Sequence, residues 1–113
     1  MSEHITHEEA IAAARSKMCA LAREILDEQI SVLDGAYEMH ALLSQSGLPI
    51  DDPIYREFLL IESETESLPV GPQKYLWAPG ALARLQPELD TMEAKARPIA
   101  FGACYSLLER FSF

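Results

Sequence analysis

The sequence predicts an all-α fold, a single-domain bundle of four to five helices covering residues 1–113. Apolar residues recur at three- and four-residue steps along most of the chain, and no stretch alternates as a half-buried strand does. Helix starts and stops punctuate that pattern, as in Asp52-Pro53 and Ser46-Gly47-Leu48-Pro49. At 49% hydrophobic residues, the chain is apolar enough to bury one core and to exclude global disorder.

Thr6-His7-Glu8-Glu9 is a capping box: the Thr6 hydroxyl accepts from the Glu9 amide, and the Glu9 carboxylate reaches back. Ile5 and Ala10 stand where a hydrophobic staple would, and Glu8 and Glu9 suit the positive end of the helix dipole. Ile11, Ala14, Met18, Leu21, Ala22, Ile25 and Leu26 then form one stripe, so the first helix runs to about Asp27. A second helix carries Ile30, Leu33, Ala36, Tyr37, His40 and Leu43. It is separate from the first or joined to it by a kink between Asp27 and Ser31. Gly35 falls inside this repeat and is read as helical. Gly47, with Pro49 beyond it, is the stop.

Asp52 caps the third helix, and Pro53 takes its first position, where a missing N–H costs nothing. Ile54, Phe58 and Ile61 form its apolar stripe, widened by Tyr55, Leu59 and Leu60, and the helix fades by Glu66. Leu68-Pro69-Val70-Gly71-Pro72 cannot continue it. Tyr75, Leu76 and Trp77 are expected to plug one end of the core, followed by a short helical turn from Ala78-Pro79 to about Leu85. Pro87 is the expected start of the last helix. Its stripe (Leu89, Met92, Ala96, Ile99, Ala103, Leu107, Phe111) survives Pro98 and predicts a kink there.

The net charge of −9 is uneven: residues 1–50 carry −5, residues 51–68 again −5, and residues 69–113 carry +1. Such a field repels nucleic acid and anionic lipid and attracts basic surfaces. No apolar run reaches the roughly 18 residues of a membrane span, and the N-terminus lacks the pattern of a signal peptide. The expected location is cytoplasmic. Two cysteines, Cys19 and Cys104, are too few for a disulfide framework and sit in apolar helical contexts, as reduced core thiols do.

Chemistry finds little support. His4 and His7 flank a helix cap without a third ligand, and His40 is read as a partly buried, hydrogen-bonded residue. Glu24 with Asp27 or Glu28 on the first helix, and Glu62 with Glu66 on the third, would line a divalent-cation site only if those faces met. Ser63, Thr65 and Ser67 lack the strand-to-helix elbow of a hydrolase serine. No catalytic residue, metal ligand or cofactor is assigned.

The sharper signal is residues 51–71, where Asp51, Asp52, Glu57, Glu62, Glu64 and Glu66 face a single base, Arg56. Those six carboxylates are the expected partner-binding residues, joined by Trp77 if, in place of its role as a core plug, it serves as an anchor beside a rigid loop. Ile61-Glu62-Ser63-Glu64-Thr65-Glu66-Ser67-Leu68-Pro69-Val70-Gly71, then Trp77-Ala78-Pro79-x-Ala81-Leu82, resembles the central signature of a group of short, uncharacterised bacterial helical proteins. Glu24-Ile25-Leu26 and Ser31-Val32-Leu33-x-Gly35-Ala36 resemble their first helices, so the likeness spans roughly residues 20–110. It implies a small helical bacterial protein and brings no catalytic residues. The size and acidity are also similar to immunity proteins, which mask the basic active face of a toxin domain. The sequence therefore favours a non-catalytic binding module for a basic, nuclease-like partner. The alternatives are a helical homodimer or scaffold joined through Tyr105, Phe111 and Phe113, and a carboxylate-based metal-dependent hydrolase.

Overall fold

A computed structural model describes residues 6–112. Ile5, His4 and Phe113, to which the sequence assigns a staple, half of a histidine pair and a share in a dimer contact, lie outside them. Among the described residues there are four α-helices and one 3₁₀ segment: α1 (His7–Leu26), α2 (Val32–Leu43), α3 (Pro53–Glu64), the 3₁₀ segment (Gly71–Leu76) and α4 (Pro79–Phe111).

Three helix starts carry a capping side chain, two of them (Thr6 and Asp52) as the sequence predicts, while α4 starts at Pro79 without one. The Thr6 hydroxyl accepts from the Glu9 amide at 3.1 Å, Ser31 from Asp34 at 3.1 Å, and Asp52 from Ile54 at 3.0 Å. The break between α1 and α2 is a left-handed helix end. Glu28 takes φ 59°, the Gln29 amide donates to the Glu24 carbonyl, and the Glu28 amide donates to the Ile25 carbonyl. This is the two-bond closure usually built on glycine. Gly35 is helical, as expected, and lies against Ile25 where a Cβ would come within 2.6 Å of that side chain.

α4 is the spine. It packs on α1, α2 and α3, and α2 packs on both α1 and α3. Its buried face is made of small residues, Ala96, Ala100, Ala103 and Cys104, with Leu107, so neighbouring helices approach closely. Met18, Ile25, Met39, Leu43, Phe58 and Ile61 fill the space opposite.

Two expectations about this region are overturned. Pro79–Phe111 is one helix of 33 residues, with both Pro87 and Pro98 inside it. At 1.5 Å per residue such a helix is about 50 Å long, matching the 49 Å long axis of the described residues. Pro87 lies on the solvent side, where a lost backbone bond is replaced by water, so it interrupts nothing. Tyr75, Leu76 and Trp77 plug no core: they are 82%, 86% and 37% exposed. The first fully buried residue of α4 is Ala96, so its N-terminal end runs beyond the body of the bundle.

Candidate functional site

The carboxylates that cluster in sequence are separated by the turn of α3. A helix advances about 100° per residue, which sets Glu57 and Glu64 within about 20° of each other and Glu62 at least about 140° from both. Glu64 faces the middle of α4, beside Glu88 and Lys95. Glu62 and Glu66 face α2, beside His40. The outermost line of the helix holds Arg56, Leu60 and Ser63.

Two of the six are committed to structure. Asp52 is buried: one carboxylate oxygen caps α3, and the other accepts from Arg110 at 2.7 Å, tying the start of α3 to the end of α4. It is therefore no rim residue of a binding surface. Glu62 is half-buried, with its Oε2 in close contact with His40 Nδ1 and no other partner. The His40 ring also stands edge-on to Tyr55, at 6.4 Å between centroids. His40 is thus a surface link between α2 and α3 rather than a core residue.

Asp51, Glu57, Glu64 and Glu66 remain. Asp51 and Glu57 share a shallow, open hollow with Ile50, Arg56, Leu60 and Ser63. Within it, Ile50 is 68% and Leu60 47% exposed, so Leu60 does not widen the core stripe as the spacing predicts. Trp77 does not line this hollow.

Trp77 belongs to a second feature, built on Asp34. The Asp34 carboxylate accepts from the Gly71 amide at 2.7 Å and from Lys74 at 2.8 Å, clasping the 3₁₀ segment to the first turn of α2. Gly71 takes φ 59° with its α-carbon against the Tyr37 ring, where a Cβ would meet ring atoms at 2.7 Å. Only glycine fits both demands. The clasp presents Tyr75, Leu76 and Trp77 outward just ahead of α4.

Glu93 is a residue that sequence reasoning missed. From α4 it accepts from the Val32 amide at 2.7 Å and the Leu33 amide at 3.2 Å, satisfying free donors at the start of α2. No local signal marks it, because the helix end it serves lies some 60 positions away.

The carboxylates of α1 and α3 do not form a shared site. α2 and α4 intervene, Glu28 is ion-paired with Arg97, and among the described residues no three His, Cys, Asp or Glu side chains gather at metal-binding geometry. Among those residues, too, no helix is long and apolar enough to cross a membrane. Cys19 and Cys104 are both buried and unpaired with each other.

The fold and these surfaces define a class: an acidic helical bundle with an apolar-centred hollow on one helix and an apolar arm at one end. Comparison with family models, with curated proteins and with solved structures finds no match.

Proposed function

We propose that this protein is a non-catalytic binding module of the immunity or inhibitor type, acting in the cytoplasm, that engages a basic, nuclease-like protein through the outer face of α3. The observation that carries this reading is the hollow around Ile50 and Leu60. Two exposed aliphatic side chains lie together, with Asp51 and Glu57 beside them. An apolar centre with a charged rim is the usual anatomy of a protein interface. Glu64 and Glu66 extend the negative field along the end of the helix, and the overall charge of −9 favours encounter with a basic surface. The resemblance to acidic immunity proteins is part of the same reading. Asp52 and Glu62 are excluded from the contact, because both already serve structure.

The test is stopped-flow association with a basic nuclease-type toxin domain, across a range of salt. Association slows about tenfold or more between low and high ionic strength. Leu60→Asp combined with Asp51→Lys and Glu57→Lys lowers affinity at least about tenfold, while the helical circular dichroism stays unchanged. Equal binding by that variant rules out α3 as the contact.

A further inference from the structure

A cleft of about 620 Å³ lies between α1 and the last residues of α4, within the roughly 300–1,000 Å³ of small-molecule sites. Ala12, Ser16, Cys19 and Arg23 step by four, three and four along α1, so they form one line on the helix and the floor of the cleft. Phe111 and Ser112 close the opposite side. Ile11 widens the apolar end, and Glu8 stands beyond it at the rim.

Two arginines, Arg15 and Arg23, line this cleft, and neither pairs with a carboxylate among the described residues. Acids outnumber bases 18 to 9 in the chain, yet both arginines are held by neutral acceptors. Arg15 Nε donates to the Ser46 carbonyl at 2.9 Å, and its guanidinium lies over the Phe111 ring, 4.7 Å from the centroid. Arg23 Nη2 donates to the Ser112 hydroxyl at 2.6 Å. An arginine held this way is oriented without being neutralised, and its remaining N–H groups can meet a further acceptor.

We infer that the cleft binds an organic monocarboxylate with an apolar tail, its carboxylate between Arg15 and Arg23 and its tail along Ala12 and Ile11. Charge and shape select that ligand. Two guanidinium groups with the Ser16 hydroxyl are a donor set suited to a carboxylate. From Cys19 back to Ile11 the floor runs about 12 Å along the helix axis, room for a medium-chain alkyl tail against the Phe111 ring. Glu8 at the far rim sets the direction, because it repels a carboxylate lying the other way round. The net charge of −9 opposes every further negative charge on a ligand, so a polyphosphate or nucleic acid is a poor occupant. The cleft shares no residue with the α3 hollow, so this inference and the proposed binding function stand or fall separately.

The probe is sodium decanoate below its micellar concentration, titrated calorimetrically into the full chain. One site with a Kd of about 0.1–1 mM is expected, the scale for a dozen heavy atoms in an open cleft. Cys19 lies in the floor, so decanoate at ten times its Kd slows alkylation of that thiol by iodoacetamide about tenfold. Sulfate, which lacks the tail, and decyltrimethylammonium, which lacks the carboxylate, give no such protection. Arg23→Gln, at an exposed side chain, weakens binding at least about tenfold, with unchanged circular dichroism. Ala12→Trp, also at an exposed position, fills the apolar end and blocks the site. Absence of both heat and Cys19 protection at about 5 mM decanoate overturns the inference. Binding undiminished in both variants overturns the placement in this cleft. Equal protection of Cys19 by decyltrimethylammonium shows that charge does not select the ligand, and overturns its assignment as an anion.

Discussion

Asp34 and Lys74, 40 positions apart, form a salt bridge of 2.8 Å that decides where the chain between α3 and α4 goes. Asp34 sits in the first turn of α2, and its other carboxylate oxygen holds the Gly71 amide. One side chain therefore holds the first residue of the 3₁₀ segment and Lys74 in its middle. Without it, residues 71–77 would have few ties to the bundle, and the aromatic arm would lose its fixed direction.

Asp34→Ala is expected to lower stability by about 1–2 kcal/mol, the scale for losing charge-assisted hydrogen bonds in a partly exposed site. Its pH dependence is specific. Burial pushes the Asp34 carboxyl up, but the hydrogen bonds from Lys74, Gly71 and Ser31 and the Lys74 charge together outweigh it, leaving the group below its ordinary 3.8. The hydrogen bond to Asp34, against the opposing effect of burial, holds Lys74 above its ordinary 10.5. A lowered carboxyl stabilises fully above its unfolded value and stops doing so as pH falls through its folded one. A raised ammonium stabilises fully below its unfolded value and stops doing so as pH rises through its folded one. Urea denaturation should thus show a constant gap between wild type and Asp34→Ala from about pH 5 to 9, closing below about pH 4. A gap that persists undiminished in acid would rule out the clasp.

Glu28→Gly is expected to stabilise the protein, although it deletes a surface ion pair. Glu28 holds φ 59° at the end of α1, a conformation that costs a side-chain-bearing residue about 1–2 kcal/mol. Glycine avoids that strain, while its larger unfolded-state freedom returns up to about 1 kcal/mol. The Arg97 pair joins two side chains exposed at 60% for Glu28 and 45% for Arg97, so its loss subtracts only a few tenths of a kcal/mol. The net gain is about 0.5 kcal/mol, visible as a rise of a few degrees in thermal midpoint. An unchanged or lower midpoint contradicts it.

Much of the fold is legible in the sequence because its cues are local. Thr6 and Asp52 announce helix starts within three residues of the amides they cap, and the stripes on α1 and α3 name most of their buried residues. Ser31 caps α2 in the same way, at a start that the spacing places only loosely, between Asp27 and Ser31. The failures come where a local cue has two structural outcomes. Pro87 is equally acceptable as a first helical residue and on the wet face of a longer helix, and only the arm's position beyond the bundle decides. Tyr75, Leu76 and Trp77 are apolar and so read as core, but Asp34 fixes the chain on the outside. The candidate site was legible by composition and misread by geometry. Helical rotation scatters the acids of residues 51–68, and the tertiary partners Arg110 and His40 claim two of them.

Glu93→Ala is expected to cost about 1–3 kcal/mol, more than most surface acids, because it strips two amides at the start of α2 of their acceptor. Glu93→Gln retains an acceptor oxygen but no charge, so it recovers about half of the loss. Hydrogen exchange locates the effect. Protection should fall at Val32 and Leu33 in both variants, more in Glu93→Ala, while amides near Phe58 in α3 change only by the global loss of stability. Uniform loss across the molecule, without excess at Val32 and Leu33, would show that Glu93 acts by another route.

The two thiols should differ sharply in reactivity. Burial pushes the Cys104 thiol up to about 12, with its side chain closed in against the α4 core. Burial also raises Cys19, but Arg23 opposes that rise, and Cys19 borders an open cleft between α1 and Phe111. Only the thiolate attacks an alkylating reagent, and at pH 8 a thiol titrating near 12 is ionised about one part in ten thousand. Pulse labelling of the native protein with iodoacetamide at pH 8, read by peptide mass spectrometry, should modify Cys19 first. Cys104 should be labelled only as fast as the bundle opens. Raising urea toward the unfolding midpoint should then speed Cys104 much more than Cys19, because its labelling requires α4 to leave the core. Equal native rates at the two positions would mean that the α4 face carrying Ala100, Ala103 and Cys104 opens far more readily than its packing implies.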